Sequence, residues 1–316
     1  MRAKMVPALN FRRDQVVVGN TTRLRQIEYV GSGKNGTVQR MLIVEGQLKG
    51  VMTAVKFLHN LEDDDTKTRF RREVKILKSV KHPHVISILD EGEFKDVRGR
   101  VYPFYVMEYQ PRNLESATRV HLRGMNPAEV LRLSLQVASA LAYIHGENIA
   151  HRDFKPGNIL FDGVNAKIAD FGLAKVVADY DPSVPRITIE GKKVGPRLYL
   201  SPEQFRHWKK ESHLVPDKPS DVYQFGLVIY ELLTGRNPNV IAEWRNPAPR
   251  KPTIANIRIL SGSLREGLTK LVREMLCDLP DNRPTSVGVL DSLFSIYQQF
   301  SSEYLAMYGR PPGGQL

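Results

Sequence analysis

The 316-residue chain is 41% hydrophobic and 25% charged, ordinary proportions for a soluble globular protein, and its length is comfortable for two lobes. Its net charge of +12 comes from scattered residues (Arg12, Arg13, Arg23, Arg25, then Arg69, Arg71, Arg72) that read as a solvated surface, and no recognition motif supports nucleic-acid binding. The single cysteine, Cys277, excludes an intramolecular disulfide and a Cys-rich zinc site.

The N-terminus lacks the apolar core of a signal peptide. The longest apolar stretch, Phe225 to Leu233, is interrupted by Glu231 and is too short to span a bilayer, so a cytoplasmic location is expected. Residues up to about Arg25 read as an extension or a first strand. Tyr29 and Val30 then lead into Gly31-Ser32-Gly33-Lys34-Asn35-Gly36-Thr37-Val38, where missing side chains let backbone N–H groups approach phosphates. A strand, Val38 to Val44, follows rather than a helix. That argues against a Rossmann dinucleotide fold and for a glycine-rich hairpin folded over a nucleotide.

The next strand, Val51 to Leu58, places Met52, Ala54, Lys56 and Leu58 on one face. A lysine on an apolar face is costly unless paired. The helix expected over Thr66–Val80 carries Phe70, Val74 and Leu77 as a buried stripe, and Glu73 falls inside that stripe. Pairing Lys56 with Glu73 resolves both costs. Buried ion pairs seldom add net stability, so a positional role is favoured over a structural one.

His82-Pro83-His84-Val85 breaks the helix. Strands are expected over Val85–Leu89 and Tyr102–Met107, joined by a charged hairpin from Gly92 to Arg100, and Met107 to Pro111 reads as a connector. Asn126-Pro127-Ala128-Glu129 opens a helix with a capping residue and proline at the first position. Its buried face is Val130, Leu133, Val137, Leu141 and Ile144, and it delivers the chain to His151–Asn158.

Downstream, strands Ile159–Phe161 and Lys167–Ala169 flank a turn containing Asp162, Gly163 and Asn165. A regular hairpin centred near Val164 sets Asn158 opposite Asp170, with Asp153 and Lys155 in the preceding loop. One such acid would suit a loop cap. The whole set suits a Mg²⁺–phosphate site, which needs hard oxygen ligands beside an acid and a cation.

From Leu173 to Leu200 no regular element is expected, and loops of such length are uncommon unless functional or mobile. Ser201-Pro202-Glu203 closes it, Arg206 to Lys218 reads as a polar insertion, and Asp221 to Gly226 opens an apolar helix ending near Gly235. Helices over Leu268–Leu276 and onward to about Tyr308 complete the chain, with Asp281 to Pro284 between them and a frayed tail after Gly309.

In this order the motifs resemble those of the eukaryotic-type (Hanks-type) protein kinase family, serine/threonine branch, from about Tyr29 to Leu290. The resemblance implies an α+β, two-lobed kinase fold, with a β-rich N-lobe carrying one main helix and a mostly helical C-lobe. Its implied divisions are an extension (1–24), N-lobe (25–107), hinge (108–111), C-lobe (112–298) and tail (299–316). It implies that Val30 to Gly36, including Ser32, Lys34 and Asn35, cover the phosphates of ATP. Val38, Ala54, Met107, Glu108, Gln110 and Leu160 would surround the base. Lys56 would hold the α- and β-phosphates and Glu73 would hold Lys56. Asp153 would be the base and Lys155 would steady the γ-phosphate. Asn158 and Asp170 would bind Mg²⁺, with Mn²⁺ as a substitute.

Structural roles are implied for Glu203 with Arg283, for Asp221 beneath the catalytic loop, and for Leu77, His151 and Phe171 with Gly172. Arg152 would receive an activation-loop phosphate, and Thr188 and Ser183 are the phosphosites that lie in the right loop. The implied partner is a protein with a Ser or Thr acceptor, with autophosphorylation a further expectation. Two departures stand out. Asn35 replaces an aromatic residue at the loop tip, and Pro196 replaces a threonine whose hydroxyl would bridge Asp153 and Lys155. Proline there resembles tyrosine kinases and keeps a tyrosine or dual-specificity alternative open, whereas Lys155 resembles the serine/threonine form. A pseudokinase scaffold is the other rival, opposed by the intact catalytic set. A small-molecule kinase is opposed by Ser201–Glu203 and the Asp221 helix.

Overall fold

Alternating apolar and polar residues build the N-terminal portion as strands. The computed structural model describes residues 9, 15–33, 36–121, 124–176, 198–208, 217–237 and 262–308. Lys34, Asn35, Ser183, Thr188, Pro196, most of the Leu173–Leu200 loop and the tail from Gly309 lie outside these residues. The chain divides into two compact units, one of Met1–Lys81 and Val85–Pro111, the other of His82–His84 and Arg112–Leu316.

The first unit contains β1 (Val16–Val18), β2 (Arg23–Gly33), β3 (Gly36–Glu45), β4 (Met52–Phe57), helix α1 (Asp64–Ser79), β5 (Ile88–Lys95) and β6 (Val101–Glu108). The strands form one antiparallel sheet in the order β1-β2-β3-β4-β6-β5. Its core gathers Leu9, Val17, Leu24, Met41, Ile43, Val55, Phe57, Phe94 and Phe104. Phe57 meets Phe94 edge-on at 5.9 Å and Phe104 at 5.2 Å. The stretch before Arg25 therefore supplies a strand and three core side chains, Leu9, Val17 and Leu24.

A single carboxylate fastens that stretch. Asp90 Oδ2 accepts from the N–H groups of Thr21 and Thr22 (3.0 and 2.9 Å) and from the Thr22 hydroxyl (2.7 Å). Burial pushes the Asp90 pKa up, but the Thr22 and Thr21 hydrogen bonds outweigh it and hold the carboxyl below its usual range. Gly19 passes so close that a Cβ there would lie 2.3 Å from Asp90 Oδ2. Replacing Asp90 with alanine leaves these donors without a partner and is expected to cost about 1–3 kcal/mol, read as a thermal midpoint several degrees lower. An unchanged midpoint would show that the cap contributes nothing.

Helix α1 starts at Asp63, whose side chain accepts from the Asp65 N–H and the Thr66 hydroxyl. Its buried residues are Thr66, Arg69, Phe70, Glu73, Ile76 and Leu77. Ile76 takes the place expected for Val74, which is only half-buried, because the stripe advances by threes and fours from Phe70 through Glu73.

The β5–β6 connection also differs from expectation. The strand does not stop before Gly92 but runs from Ile88 to Lys95. Gly92 is needed inside it because a Cβ would lie 2.8 Å from the Phe104 ring. The turn tightens to Asp96–Arg100 because Asp96 Oδ1 accepts from the N–H groups of both Arg98 and Arg100 (2.9 Å each).

The second unit begins with β7 (Arg112–Asn113), α2 (Leu114–Val120) and α3 (Pro127–Gly146). Asn126 caps α3 by accepting from the Ala128 N–H at 2.9 Å, and the five expected face residues are at most 1% exposed. Short strands follow: β8 (Ile149–Ala150), β9 (Ile159–Phe161), β10 (Ala166–Ile168) and β11 (Lys175–Val176). They pair in the orders β10-β9-β7 and β11-β8. Four helices, α4 (Pro202–Trp208), α5 (Lys218–Thr234), α6 (Gly262–Met275) and α7 (Ser286–Tyr308), complete the described residues. Both ends of the expected Arg206–Lys218 insertion are helical, in α4 and α5. Helix α5 is buried continuously from Ser220 to Tyr230 and closes on Gly235 at φ 71°. Among the described residues, no helix is long and apolar enough to cross a membrane.

Candidate active site

In the first unit, the glycine-rich segment is the β2–β3 turn itself. Gly33 pairs with Gly36, Ser32 with Thr37 and Gly31 with Val38, while Val30 is half exposed. Gly36 permits close packing, since a Cβ would lie 2.6 Å from the Phe57 carbonyl oxygen. The next pairings carry Val38 opposite Lys56 and Ala54 opposite Met107. The two-residue period therefore sets Val38, Ala54, Lys56 and Met107 on one face of the sheet.

The pairing expected for Lys56 forms: its Nζ donates to both Glu73 carboxylate oxygens at 2.8 Å. Lys56 is 8% exposed and Glu73 only 1%. Glu73 Oε1 also accepts from the Tyr105 hydroxyl at 2.9 Å, a partner that sequence reasoning missed. Tyr105 lies in the unbroken apolar run of β6, where alternation gives no clue to which face it uses. Glu108 Oε1 accepts from the Ser87 N–H at 2.9 Å, and Gln110 is half-buried just beyond β6.

In the second unit, the hairpin register differs by one residue from that expected. Ile159 pairs with Ile168 and Phe161 with Ala166, and Asn158 O accepts from the Ala169 N–H at 2.9 Å. Asn158 thus stands opposite Ala169, and Asp170 follows it. The cause lies in the turn. Asp162 Oδ1 accepts from the N–H groups of Val164 (2.7 Å) and Asn165 (2.6 Å), with Gly163 at φ 106°, so the loop is centred between Gly163 and Val164. Leu160 is half-buried opposite Lys167. Asp170 then adopts a left-handed conformation (φ 63°, ψ 70°) and turns the chain into the 3₁₀ turn Phe171–Leu173, where Phe171 and Gly172 are buried.

The loop at His151 is anchored from α5. Asp221 Oδ2 accepts from the His151 N–H at 2.7 Å, and Oδ1 accepts from the Arg152 N–H at 2.6 Å. Arg152 has φ 68°, which reverses the backbone just before Asp153. The His151 ring packs edge-on to Phe171 at 4.9 Å. Leu77 is buried in α1 of the first unit.

Asp153 Oδ2 is the centre of the cluster. It accepts from Lys155 Nζ at 2.6 Å and from Asn158 Nδ2 at 2.9 Å. Asn158 Nδ2 also donates to the Asp153 carbonyl at 2.8 Å, which leaves its own Oδ1 as the group suited to a cation. Burial alone would lower the Lys155 pKa. The adjacent Asp153 carboxylate, with Asp170 and Glu115, outweighs burial and raises it, so Lys155 is an ammonium at neutral pH.

The donor chemistry fits a hard divalent cation, with an amide oxygen from Asn158 and a carboxylate from Asp170. Among the described residues, no cluster of three or more His, Cys, Asp or Glu could hold a metal on its own. Such a site would complete its coordination with phosphate oxygens and water. Farther from this centre, Glu203 on α4 and Arg283 form a bidentate pair at 2.7 and 2.8 Å. Gln204 and Gln224 also reach the His151–Phe154 loop. The sequence signal for Gln224 was a lone amide in the apolar run of α5.

A protein-family model described as "Protein kinase domain" matches residues 24–295. The chain is similar to the serine/threonine-protein kinase PrkC of Bacillus subtilis, at 35% identity over 207 residues, 64% of this chain and 29% of the relative. It is 34% identical over 224 residues to the serine/threonine-protein kinase PknB of Mycobacterium tuberculosis, 68% of this chain and 33% of the relative. The serine/threonine-protein kinase pkn2 of Myxococcus xanthus is 33% identical over 301 residues, 89% of this chain and 33% of its own length. The chain spans about a third of the length of these curated relatives.

Proposed function

The chain belongs to the protein kinase domain family, and from that premise we propose that it transfers the γ-phosphate of ATP to a serine or threonine hydroxyl of a protein. The observation that carries this is the Asp153–Lys155–Asn158 cluster, in which one carboxylate oxygen is held by an ammonium and an amide. Asp153 orients the acceptor hydroxyl and takes its proton. Lys155, kept charged by its neighbours, offsets negative charge on the phosphoryl group in transit. A bound Mg²⁺ or Mn²⁺ supplies further neutralisation of the phosphates, and Asn158 with Asp170 are the residues proposed to hold it.

The first unit contributes nucleotide-holding groups. Lys56 pairs the α- and β-phosphates and is aimed by Glu73, while Gly31, Gly33 and Gly36 cover the phosphates. Val38, Ala54 and Met107 offer an apolar face, with backbone groups near Glu108 and Gln110 for the base. Most of the catalysis asked of such a site is positioning and charge neutralisation. Lys155 and the names of the relatives support the Ser/Thr acceptor, and Pro196 keeps the tyrosine reading alive as the second choice.

Incubation of the purified chain with Mg-ATP, alone and with a general protein substrate, followed by intact mass and site mapping, tests this. Phosphate on serine or threonine is the expected result, and mapping decides whether Ser183 or Thr188 is among the sites. Phosphotyrosine alone moves the assignment to the second reading. No incorporation in any arm overturns the proposal.

A further inference from the structure

We propose that Gln204 and Gln224 are positioning residues that set the direction of the Asp153 carboxylate by holding the peptide planes on either side of it. The inference rests on the phosphotransfer reading for its kinetic consequence, and on hydrogen bonding for its structural one.

Two peptide planes meet at the Asp153 Cα, and each is held at both ends. In the plane between Arg152 and Asp153, the Arg152 carbonyl accepts from Gln204 Nε2 at 2.9 Å, and the Asp153 N–H lies 3.3 Å from His151 Nδ1. In the plane between Asp153 and Phe154, the Asp153 carbonyl accepts from Asn158 Nδ2 at 2.8 Å. On the other side of that plane, the Phe154 N–H donates to Gln224 Oε1 at 3.0 Å. With both planes fixed, φ and ψ of Asp153 are fixed, and so is the vector along which its carboxylate leaves the backbone.

The clamp is needed because the preceding residue is strained. Arg152 sits at φ 68°, a conformation that costs a non-glycine residue unless its surroundings enforce it. Asp221 enforces it from the N–H side and Gln204 from the C=O side. Both glutamines are only 1% exposed, and Phe154 is equally buried, so the N–H that Gln224 holds has no water to fall back on. Gln204 is in turn locked by Ser201, whose N–H donates to Gln204 Oε1 at 2.9 Å. The start of α4 is thereby tied to the base through one side chain. Neither glutamine touches the reacting atoms; both act through the Asp153 backbone.

Methionine matches the length of glutamine but cannot serve these hydrogen bonds. Gln204→Met and Gln224→Met are expected to lower kcat by about 10–100-fold, the scale of a misplaced catalytic group, with the KM for ATP and nucleotide affinity within about twofold. Gln224→Glu keeps the acceptor for the Phe154 N–H and is expected to recover most of the kcat lost in Gln224→Met. Amide exchange is the readout that does not depend on activity: the Asp153 and Phe154 amides should be slow in the unaltered chain and faster in the Met variants.

Wild-type kcat in either Met variant overturns the proposal. So does a kcat loss matched by loss of ATP affinity, which marks general loosening, or a Gln224→Glu variant no better than Gln224→Met. If the unaltered chain transfers no phosphate, the proposed function falls and exchange alone decides the clamp. A Phe154 amide exchanging at an open-loop rate in the unaltered chain then overturns it, whether or not the variants fold.

Discussion

Asp153→Asn is expected to leave the protein folded and able to bind ATP while lowering phosphotransfer by about 10²–10⁴-fold, the usual range for losing a general base. The substitution preserves size and removes one charge. Asp153 Oδ2 accepts from both Lys155 and Asn158, and the asparagine carbonyl can still take one of these donors. The Lys155 side chain is 28% exposed and keeps Asp170 and Glu115 as charged neighbours, so its ammonium is not stranded and the cost to stability is small. What is lost is the proposed proton acceptor and the charge that holds Lys155 in place. Lys56 and Glu73, the groups proposed to hold the nucleotide, are untouched, which predicts a collapse in kcat with little change in ATP affinity. Lys56→Ala should instead impair nucleotide binding as well. Initial rates with labelled ATP, alongside calorimetric binding of ATP, separate the two. Undiminished transfer by Asp153→Asn would remove it from the role of base.

Much of this architecture is legible in the sequence because charge and periodicity conflict at only a few positions. A lysine on an apolar strand face and a glutamate in an apolar helix stripe point at each other, and Lys56 and Glu73 do pair. The Asn126 cap and the α3 face are local patterns, and they form as local physics dictates. The failures are of another kind. A hairpin register depends on which turn residue captures the backbone, and Asp162 shifts the β9–β10 pairing by one residue, so Asn158 faces Ala169 instead of Asp170. The β5–β6 turn moved for the same reason, through Asp96. Tyr105, Gln204 and Gln224 were missed because their partners lie 32, 52 and 70 residues away, beyond the reach of any period. Side-chain to backbone hydrogen bonds are the least patterned part of a fold, and here they surround the proposed base.

The largest stability effect is expected at Arg283, where truncation to alanine should cost about 3–5 kcal/mol, the range for breaking a buried ion pair by removing one partner. Arg283 donates to both oxygens of Glu203 at 2.7 and 2.8 Å. It also donates to the carbonyls of Cys277 (2.8 Å), Pro219 (2.9 Å) and Asp278 (3.1 Å). Its guanidinium lies 4.9 Å from the centre of the Tyr223 ring. Alanine would strip the guanidinium from a buried carboxylate that keeps the Ser220 hydroxyl and its own backbone N–H, and would leave three carbonyls without this donor. The acid side of the pair gives an independent check. Burial pushes the Glu203 pKa up, but the Arg283 hydrogen bonds and charge, with Ser220, outweigh burial and hold it below its ordinary 4.5. A depressed folded-state pKa means the contribution is fully present above the unfolded value and is lost as pH falls through the folded one. In denaturant titrations the gap between wild type and Arg283→Ala should be wide at neutral pH and narrow on acidification below about 4.5. The double variant Glu203→Leu with Arg283→Met removes both charges, and should be less destabilised than Arg283→Ala because no buried charge is left alone. A gap that stays constant with pH, or a double variant worse than the sum of its single changes, would mean that the arginine acts through packing and its carbonyl contacts rather than through Glu203.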